Sequence, residues 1–261
     1  MKIATFNANS IRSRLPVVLQ WLAMEQPDVL ALQETKVTDD LFPCAPFEDA
    51  GWSVVCRGQK SYNGVAFVSK KPLRDVNTQW DPSGSGEART LTARWGDWLL
   101  INTYVPQGFS LDSPKFDNKM RFFKGLAKLF KDNTSKDVPA LWMGDLNVAR
   151  TPLDLHSPET NGDHVCFHPL VRAALSEARG DFWTDLFREK EKGPGHYTYW
   201  DYRIPSNFLR NRGWRIDYIL GSPVAVEALQ RIWIDKGPRA WPTPSDHTFL
   251  VAEFTRGDGG G

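Results

Sequence analysis

The sequence predicts an α/β sandwich, in which two β-sheets pack face to face and helices cover the outer faces. Apolar strand-like runs alternate with helix-like segments along 261 residues, without an intervening linker. Two of the runs, Thr90–Trp95 and Trp98–Tyr104, are joined by Gly96 and Asp97, a two-residue hairpin signal that makes part of the sheet structure antiparallel. Helical connections together with hairpins favour a sandwich over a doubly wound parallel sheet.

The first elements predicted are a strand, a helix and a second strand. Lys2–Phe6 is strand-like, and Val29–Leu32 is an uninterrupted apolar run typical of a buried strand. Between them, Ser13 is the expected N-cap of a helix that ends at Gln26-Pro27. The apolar positions of this helix recur at helical spacing, at Leu15, Val18, Leu19 and Leu22.

Later segments predict a further strand and two more helices. Gly64–Ser69 is strand-like, and a helix begins at Ser113-Pro114. A third helix runs from Pro169 to about Arg179 and ends at Gly180. The second helix buries one apolar face, made by Phe116, Met120, Phe123, Ala127 and Phe130.

The region between residues 148 and 167 is rich in proline, histidine, aspartate, asparagine and glycine. We predict a loop there, and its length favours a functional role over a simple connection. The sequence contains no repeat and no composition shift that marks a domain boundary. We therefore expect residues 1–255 to form a single domain, and the glycine-rich residues 256–261 to be a disordered tail.

Composition restricts the possible partners and compartment. The net charge is only +1, so a nucleic-acid partner is neither required nor excluded. The three cysteines form no close-spaced ligand pair, which suits a reducing compartment. The sequence shows no secretory signal segment and no apolar run near the ~20 residues of a membrane helix. We expect no membrane association and a cytoplasmic protein.

Carboxylate, amide or imidazole side chains lie at the ends of five strand-like runs. The runs are ATFNANSIR from Ala4, VLALQETK from Val29, ALWMGDLNV from Ala140, GWRIDYIL from Gly213 and PSDHTFLVAEF from Pro244. One such segment alone can be structural, because Gly-Asp often forms a turn and Ser-Asp-His can cap a helix. Burying these groups unpaired is costly, so five of them together predict one shared pocket.

The residue types in these segments suit hydrolysis of a phosphate ester. Asp145 and Asn147 are two residues apart, so their side chains point the same way if the strand continues that far. A carboxylate can accept a proton from water, and an amide can donate to a developing oxyanion. Glu34, with Asn7 and Asp246, offers oxygen ligands that suit Mg²⁺ or Mn²⁺ rather than zinc.

His247 needs a partner that sets its tautomer. Asp246 directly precedes it and should not share its orientation, so Asp217, within an apolar strand, is the expected partner. Tyr104 ends its strand and is either a core residue with a satisfied hydroxyl or part of the site.

An aromatic and arginine-rich stretch suggests how a substrate is recognised. Arginines neutralise phosphates and aromatic rings offer stacking surfaces, which together are typical of nucleic-acid binding. The same pattern also fits a core of aromatics beneath a solvated charged face, and composition alone does not separate the two. The residues concerned are Tyr197, Tyr199, Trp200 and Trp214, with Arg203, Arg210, Arg212 and Arg215.

Six motifs together resemble the exonuclease III branch of the abasic-site endonucleases, within the endonuclease/exonuclease/phosphatase superfamily. They are FNANSIRSR, LQETK, NTYVPQG, GDLNVA, GWRIDYIL and PSDH, and the resemblance extends from about Lys2 to Phe254. It implies a DNase I-like four-layer α/β sandwich, acting as a monomer on duplex DNA that contains abasic sites. The implied reaction is hydrolysis of the phosphodiester 5′ to the site with Mg²⁺, or Mn²⁺ in its place, accompanied by 3′→5′ exonuclease and 3′-phosphatase activities.

The resemblance also implies roles for matching positions. Glu34 would bind the metal with Asn7 and Asp246 nearby, and Asp145 would orient or deprotonate the attacking water. The phosphate and the leaving oxygen would be contacted by Asn147, His247 and Tyr104, with Asp217 orienting His247.

The implied substrate contacts include a pocket for the flipped abasic sugar, walled by Tyr199, Trp214 and Ile216. Asn161 matches a phosphate-contacting asparagine, and Asn9 stands where some relatives have aspartate. The full substrate-binding prediction is Asn9, Lys36, Gln107, Asn161, Tyr199, Arg203, Trp214 and Ile216. His156 and His164 are expected to be packing residues of the long loop.

Two other functions are compatible with the motifs. One is a phosphoesterase of the superfamily that acts on a lipid headgroup, an inositol phosphate or a poly(A) tail. The other is a nucleic-acid-binding regulator that has lost catalysis. The arginine and aromatic stretch argues against the first, and the retained carboxylate and histidine set argues against the second.

Overall fold

The computed structural model describes residues 1–255, so the predicted disordered tail at 256–261 lies outside the described residues. The strands are β1 (Lys2–Asn7), β2 (Val29–Gln33), β3 (Ser53–Arg57), β4 (Val65–Ser69), β5 (Arg74–Asn77), β6 (Thr90–Trp95), β7 (Trp98–Tyr104), β8 (Ala140–Asp145), β9 (Thr184–Asp185), β10 (Asp217–Gly221), β11 (Leu229–Asp235) and β12 (Phe249–Phe254). The helices are α1 (Ile11–Glu25), α2 (Cys44–Asp49), α3 (Pro114–Asn133), α4 (Pro169–Arg179), α5 (Leu186–Lys190), α6 (Ser206–Leu209) and α7 (Pro223–Ala228).

The strands of residues 1–255 form two six-stranded mixed sheets. The first has the order β11-β12-β1-β2-β4-β3 and the second the order β5-β6-β7-β8-β10-β9. Each sheet has one parallel pair near its centre, β1 with β2 and β7 with β8, and the other pairs are antiparallel. The predicted β6–β7 hairpin is confirmed.

The alternation of side chains along the strands produces the layers. On β2, Val29 and Ala31 pack into the core between the two sheets, whereas Leu30 and Leu32 pack on the side of α1 and α2. The outer face of the second sheet is covered by α3 and α4. Because successive strand residues face opposite ways, every central strand serves two cores. The four-layer α/β sandwich is therefore confirmed.

The first helix begins earlier than the sequence predicted. Ser10, not Ser13, is its N-cap residue, and no side-chain cap bond is present there. Instead the amides of Ser10 and Ile11 donate to the carbonyls of Glu34 and Thr35 at 2.8 and 3.1 Å. These tertiary bonds replace a side-chain cap, which local sequence could not reveal. The predicted start of α3 at Ser113 and both ends of α4 are confirmed.

The topology brings the polar strand ends to one edge of the sandwich. The parallel pairs direct the ends of β1, β2, β7 and β8 the same way, placing Asn7, Glu34, Tyr104 and Asp145 together. The antiparallel strands β10 and β12 begin where those strands end, which adds Asp217 and the Asp246–His247 pair.

Gly144 makes the close packing of this edge possible. Its φ is +134°, and a Cβ at this position would lie 2.0 Å from the carbonyl oxygen of Thr103. The glycine of the GD-N motif is thus required by the contact between β7 and β8. Among the residues described, no helix combines the length and apolar character needed to cross a membrane.

Candidate active site

Asp145 lies at the centre of the polar cluster and is buried. Its Oδ2 accepts hydrogen bonds from Asn7 Nδ2 at 2.8 Å and from Asn147 Nδ2 at 3.3 Å. Its Oδ1 accepts from the backbone amide of Asn147 at 2.9 Å. One carboxylate therefore joins the ends of β1 and β8, which belong to different sheets.

His247 is fixed between two aspartates. Its Nδ1 lies 2.8 Å from Asp217 Oδ2, the contact expected from the sequence, and its Nε2 lies 3.8 Å from Asp145 Oδ2. Thr198 Oγ1 accepts from the amide of Asp217 at 3.2 Å and so fixes the start of β10. Asp217 Oδ1 is buried and has no hydrogen-bond partner within residues 1–255.

Glu34 is held from both sides. The hydroxyl of Tyr104 donates to Glu34 Oε1, and Lys36 Nζ lies 3.0 Å from Glu34 Oε2. Lys36 Nζ also donates to Asn9 Oδ1, and Asn9 Nδ2 donates to Asp246 Oδ1 at 3.0 Å. A continuous chain of polar contacts thus runs from β7 through β2 to the loop before β12.

Four predicted site residues adopt the left-handed backbone region. The φ angles of Asn9, Glu34, Lys36 and Asn147 are +44°, +51°, +55° and +51°. Non-glycine residues seldom adopt this region, and such strain concentrates at functional sites. The extended geometry considered for Asn147 is wrong, because β8 ends at Asp145 and the turn back at Asn147 is what brings its amide to the carboxylate.

The buried charges perturb one another strongly. Burial, reinforced by Asp217 and Glu34, raises the pKa of Asp145 to about 7, although His247 opposes the rise. Burial alone would lower the pKa of His247, but Asp217 and Asp145 outweigh it and raise that pKa to about 10. Asp145 therefore holds a proton more readily than a free aspartate, while His247 is held as a cation.

Glu34 and Tyr104 are shifted in opposite senses. Burial would raise the pKa of Glu34, but the Lys36 ammonium and the Tyr104 hydroxyl outweigh it and lower that pKa. Burial, then Glu34 and Asp145, raise the pKa of Tyr104 well above its ordinary value. Glu34 is thus ionised, and Tyr104 keeps its proton as a hydrogen-bond donor.

The aromatic residues predicted to wall a sugar pocket lie beside this centre. Tyr199 forms isolated bridges with both Trp214 and His247, and its ring centroid lies 5.0 Å from that of His247. Ile216 is buried. The ring of His164 packs against Trp214 with centroids 4.7 Å apart, and its Nδ1 accepts from the amide of Cys166. His164 is thus a packing residue of the loop, and it covers part of Trp214.

Three predicted substrate contacts lie farther out. The side chain of Gln107 is exposed and accepts from the amide of Phe109 at 3.1 Å. Asn161 Nδ2 donates to the carbonyl of Ser157 at 2.6 Å within the long loop. Arg203 is exposed and pairs with the neighbouring Asp201.

Part of the arginine and aromatic stretch is core rather than surface, which corrects the sequence interpretation. Tyr197 and Trp200 are buried, and Arg215 is 0% exposed. Arg215 pairs with Asp154 at 2.8 Å and with Asp185 at 2.7 Å. A buried guanidinium needs such partners, so Arg215 holds the long loop against β9 and β10 and cannot reach a phosphate in solution.

Comparison with known proteins assigns the family. The endonuclease/exonuclease/phosphatase family profile matches residues 4–247. The chain belongs to this family. It is similar to exodeoxyribonuclease III of Haemophilus influenzae, with 32% identity over 97% of this chain and 100% of that protein.

Two solved structures are also similar to this chain. An AP endonuclease from Archaeoglobus fulgidus superposes with a TM-score of 0.93 and 41% identity, covering 97% of this chain and 99% of the other. The 3′ phosphatase NExo from Neisseria, bound to a product DNA hairpin, superposes with a TM-score of 0.94 and 36% identity, covering 98% of this chain and 100% of the other.

The donor set fits the divalent cation that this family uses. Ligand-type atoms of Asp145, Asp217 and His247 lie within 4.8 Å of one another. Because Asp217 and Asp145 hold His247 as a cation, its ring has no free lone pair, and the carboxylates are the donors that suit a cation here. Asp217 Oδ1 is a buried acceptor without a hydrogen-bond partner within residues 1–255, and a buried anionic oxygen of this kind fits a site that binds a cation. The trio predicted from sequence, Asn7, Glu34 and Asp246, lies around this set in the same hydrogen-bond network.

Three residues of the site were missed by sequence reasoning. Ser245 Oγ donates to the carbonyl of Asn7 at 2.8 Å and accepts from the amide of His247, so it joins β1 to the loop before β12. Thr198 supports Asp217 but sits in a segment without a chemical motif. Lys119 donates to the carbonyl of Asn147 at 2.8 Å. The position of Lys119 among the apolar residues of α3 is the sequence feature that could have indicated a buried lysine.

Proposed function

We propose that this chain is a divalent-metal-dependent DNA repair nuclease that hydrolyses the phosphodiester 5′ to an abasic site in duplex DNA. The products would be a 3′-hydroxyl and a 5′-deoxyribose phosphate. The observation that carries the proposal is the network around Asp145, in which five strand ends from two sheets place a base, a held cation and oxygen donors at one edge. The names of the similar proteins, an exodeoxyribonuclease and an AP endonuclease, support DNA as the substrate.

Asp145 is proposed to accept a proton from the attacking water. Its pKa of about 7 is suited to a base that works near neutral pH. The amides of Asn7 and Asn147 fix the carboxylate in one orientation, so one oxygen can be aimed at the water. As the water oxygen bonds to phosphorus, the bond from phosphorus to the 3′-oxygen breaks.

His247, Asn147 and Tyr104 are proposed to stabilise the phosphate and the leaving oxygen. Since Asp217 and Asp145 hold His247 as a cation, it opposes the negative charge that builds up on the phosphoryl oxygens. Tyr104 keeps its proton, which it donates to Glu34 in the structure, and we propose that it donates to the phosphate or to the leaving oxygen once substrate is bound. A bound Mg²⁺, or Mn²⁺ in its place, would neutralise phosphate charge and lower the pKa of water. Asn7, Glu34 and Asp246 are proposed to hold it.

Selection of abasic sites is proposed to depend on Trp214, Tyr199 and Ile216. A sugar without a base is smaller than an intact nucleotide and costs less to extrude from the duplex. Asn9, Lys36, Gln107, Asn161 and Arg203 are proposed to contact the DNA around this pocket.

A second candidate is processing of DNA 3′ ends, as a 3′-phosphatase or a 3′→5′ exonuclease. The observation that favours it is the contact of the His164 ring with Trp214, at 4.7 Å between centroids, because Trp214 is the residue proposed to wall the sugar pocket. The similar Neisseria protein is named a 3′ phosphatase. A 3′-terminal phosphate can reach the same carboxylate centre without entering the sugar pocket.

The test compares three duplexes at one salt concentration. One carries a single internal abasic-site analogue, one is undamaged, and one ends in a 3′-phosphate. Product length over time separates incision, stepwise shortening and phosphate release. The main proposal predicts a single cut 5′ to the analogue as the fastest reaction. Faster release of the terminal phosphate would favour the second candidate, and no reaction on any duplex would contradict both.

We further propose that residues 1–255 act as one domain and as a monomer. The support for a single domain is that both sheets contribute side chains to the same network, so neither half could carry the chemistry alone. From the DNA repair role we also propose that the protein works in the cytoplasm, or at the nucleoid if the source is prokaryotic.

A further inference from the structure

Lys119 is a buried lysine whose ammonium joins three loops around the candidate active site. It lies on the inner face of α3 and is 0% exposed. Its Nζ donates to the backbone carbonyls of Gln107 at 3.0 Å, Asn147 at 2.8 Å and Val165 at 3.0 Å. These carbonyls lie in the loop after β7, the turn after β8 and the long loop before α4.

The three acceptors identify the charged form of the side chain. A carbonyl oxygen can only accept, so three such bonds need three N–H donors, which an ammonium has and a neutral amine lacks. Burial lowers the pKa of Lys119, so keeping the side chain charged lowers the stability of the folded state. Within residues 1–255 Lys119 has no ion-pair partner among the carboxylates. The three carbonyls supply the hydrogen bonds of the ammonium, and Cys166 and Asp145 also favour its charged form without contacting it in an ion pair.

The aliphatic part of Lys119 is also closely enclosed. Gly108 has a φ of +101°, and a Cβ there would lie 3.3 Å from Lys119 Cδ and 3.7 Å from Val165 Cβ. The loop after β7 therefore crosses the lysine stem at a position where glycine leaves room. Stem and ammonium together fix the path of this loop against the long loop.

Each of the three loops carries a residue that belongs to the proposed site or packs against it. The turn after β8 contains Asn147, whose left-handed backbone directs its amide to Asp145. The loop after β7 contains Gln107, and the long loop contains His164, which packs on Trp214. A well-packed apolar side chain would fill the same space at lower electrostatic cost. Unlike an apolar side chain, the ammonium can hydrogen-bond to all three carbonyls at once and so hold the three loops together.

We propose that Lys119 is a positioning residue that sets the relative placement of Asn147, Gln107 and the His164–Trp214 pair. It acts through backbone carbonyls and does not itself touch the substrate. The effect on catalysis rests on the proposed function, whereas the tie between the loops does not.

The first test replaces Lys119 with methionine, which keeps the length of the stem and removes the charge. Lys128→Met on the exposed face of α3 is the matched control. We expect kcat on the preferred DNA substrate to fall by about 10²-fold, with a smaller change in KM, because misplaced groups cost transition-state stabilisation. A kcat for Lys119→Met equal to that of the control would overturn the proposal.

Amide hydrogen exchange in the same variants tests the tie without activity. We expect faster exchange in all three segments around residues 107, 147 and 165 in Lys119→Met, and in none of them in Lys128→Met. Unchanged exchange around residues 107 and 147 would contradict the proposed tie. If the wild-type protein cleaves no DNA, the proposed function fails, and the exchange measurement still decides the role of Lys119.

Chemical rescue separates positioning from simple packing, and it remains informative if Lys119→Met folds poorly. Lys119→Ala leaves a space with the shape of propylammonium between the three carbonyls. We expect added propylammonium to restore slow exchange and at least part of kcat, and 1-propanol to restore neither. Equal rescue by both compounds would assign Lys119 to packing and overturn the proposal.

Discussion

The two ring nitrogens of His247 face two different aspartates: Nδ1 lies 2.8 Å from Asp217 Oδ2 and Nε2 lies 3.8 Å from Asp145 Oδ2. Asp217 and Asp145 are direct partners in the antiparallel pairing of β10 with β8. The sheet register therefore fixes the spacing of the two carboxylates, and His247 bridges them from the loop before β12. The charge state of the histidine follows from this arrangement.

Replacing Asp217 with asparagine should lower the pKa of His247. Asp217 supplies the largest of the effects that raise it to about 10, and an amide removes that charge. The shift is measurable by NMR titration of the imidazole. Turnover should fall by roughly 10²–10⁴, as it should in His247→Ala, because a positioned electrostatic group is lost. Asp137→Asn on the surface is the control. An unchanged His247 pKa would contradict the assignment.

Asp145→Asn should abolish most turnover while duplex binding survives. The substitution keeps the shape of the side chain but removes its ability to accept a proton from water. We expect a loss of several orders of magnitude in turnover, since a general base and its fixed charge each contribute roughly 10²–10⁴. Binding is measured by titration with labelled duplex. Near-wild-type turnover of Asp145→Asn would show that a group other than Asp145 activates the water.

Trp214→Ala should change selectivity more than general DNA affinity. One aromatic contact contributes about 1–3 kcal/mol, so affinity for abasic duplex should fall by roughly ten- to a hundredfold. Affinity for undamaged duplex is proposed to depend on phosphate contacts from exposed arginines such as Arg203, so it should change little. The ratio of the two affinities at one salt concentration is the readout. Equal losses for both duplexes would show that Trp214, which His164 already covers in part, only supports the fold.

Asp154→Asn should destabilise the fold in a pH-dependent way. Asp154 is buried between Arg215 and Arg188, and although burial opposes them, these arginines lower its pKa to about 2. Because the folded-state pKa lies below the ~3.9 of an unfolded aspartate, the contribution is complete above pH ~4 and is lost as pH falls through 2.

At pH 7 the loss in unfolding free energy should be about 3–5 kcal/mol, since a buried charge network is left incomplete. Urea unfolding of wild type and variant between pH 7 and pH 2 gives the difference at each pH. It should narrow below pH 4. A difference that stays constant over this range would show that packing, not charge, holds the long loop. Asp132→Asn, on the exposed surface, should leave stability unchanged.

The fold was predictable because its signals are local. Apolar runs, the Gly96–Asp97 hairpin and the helical spacing on α3 each depend on neighbouring residues, and these elements are present. The predicted start of α1 was wrong because the first amides of this helix donate to carbonyls that follow β2, far away in the sequence. The order of strands within each sheet is likewise set by contacts that no short segment contains.

The candidate site was predictable where the type of a single residue indicates its chemical role. Carboxylates, amides and a histidine after apolar runs identified Glu34, Asp145 and His247 as neighbours. The same reasoning mistook Arg215 for a surface residue, because sequence does not show that Asp154 and Asp185 surround it. Supporting groups such as Ser245 and Thr198 act through backbone contacts, which leave no chemical pattern to read.

The most direct test of the central claim is the metal dependence of DNA cleavage at a single abasic-site analogue. Protein stripped of metal is incubated with the duplex in excess EDTA, and again after Mg²⁺ is added back beyond the chelator. We predict no incision in EDTA and a return of one product, cut 5′ to the analogue, with Mg²⁺. The oxygen donors around Asp145 and Glu34 are the reason for this expectation. Undiminished incision in EDTA by metal-free protein, or no incision with Mg²⁺ restored, would contradict the account.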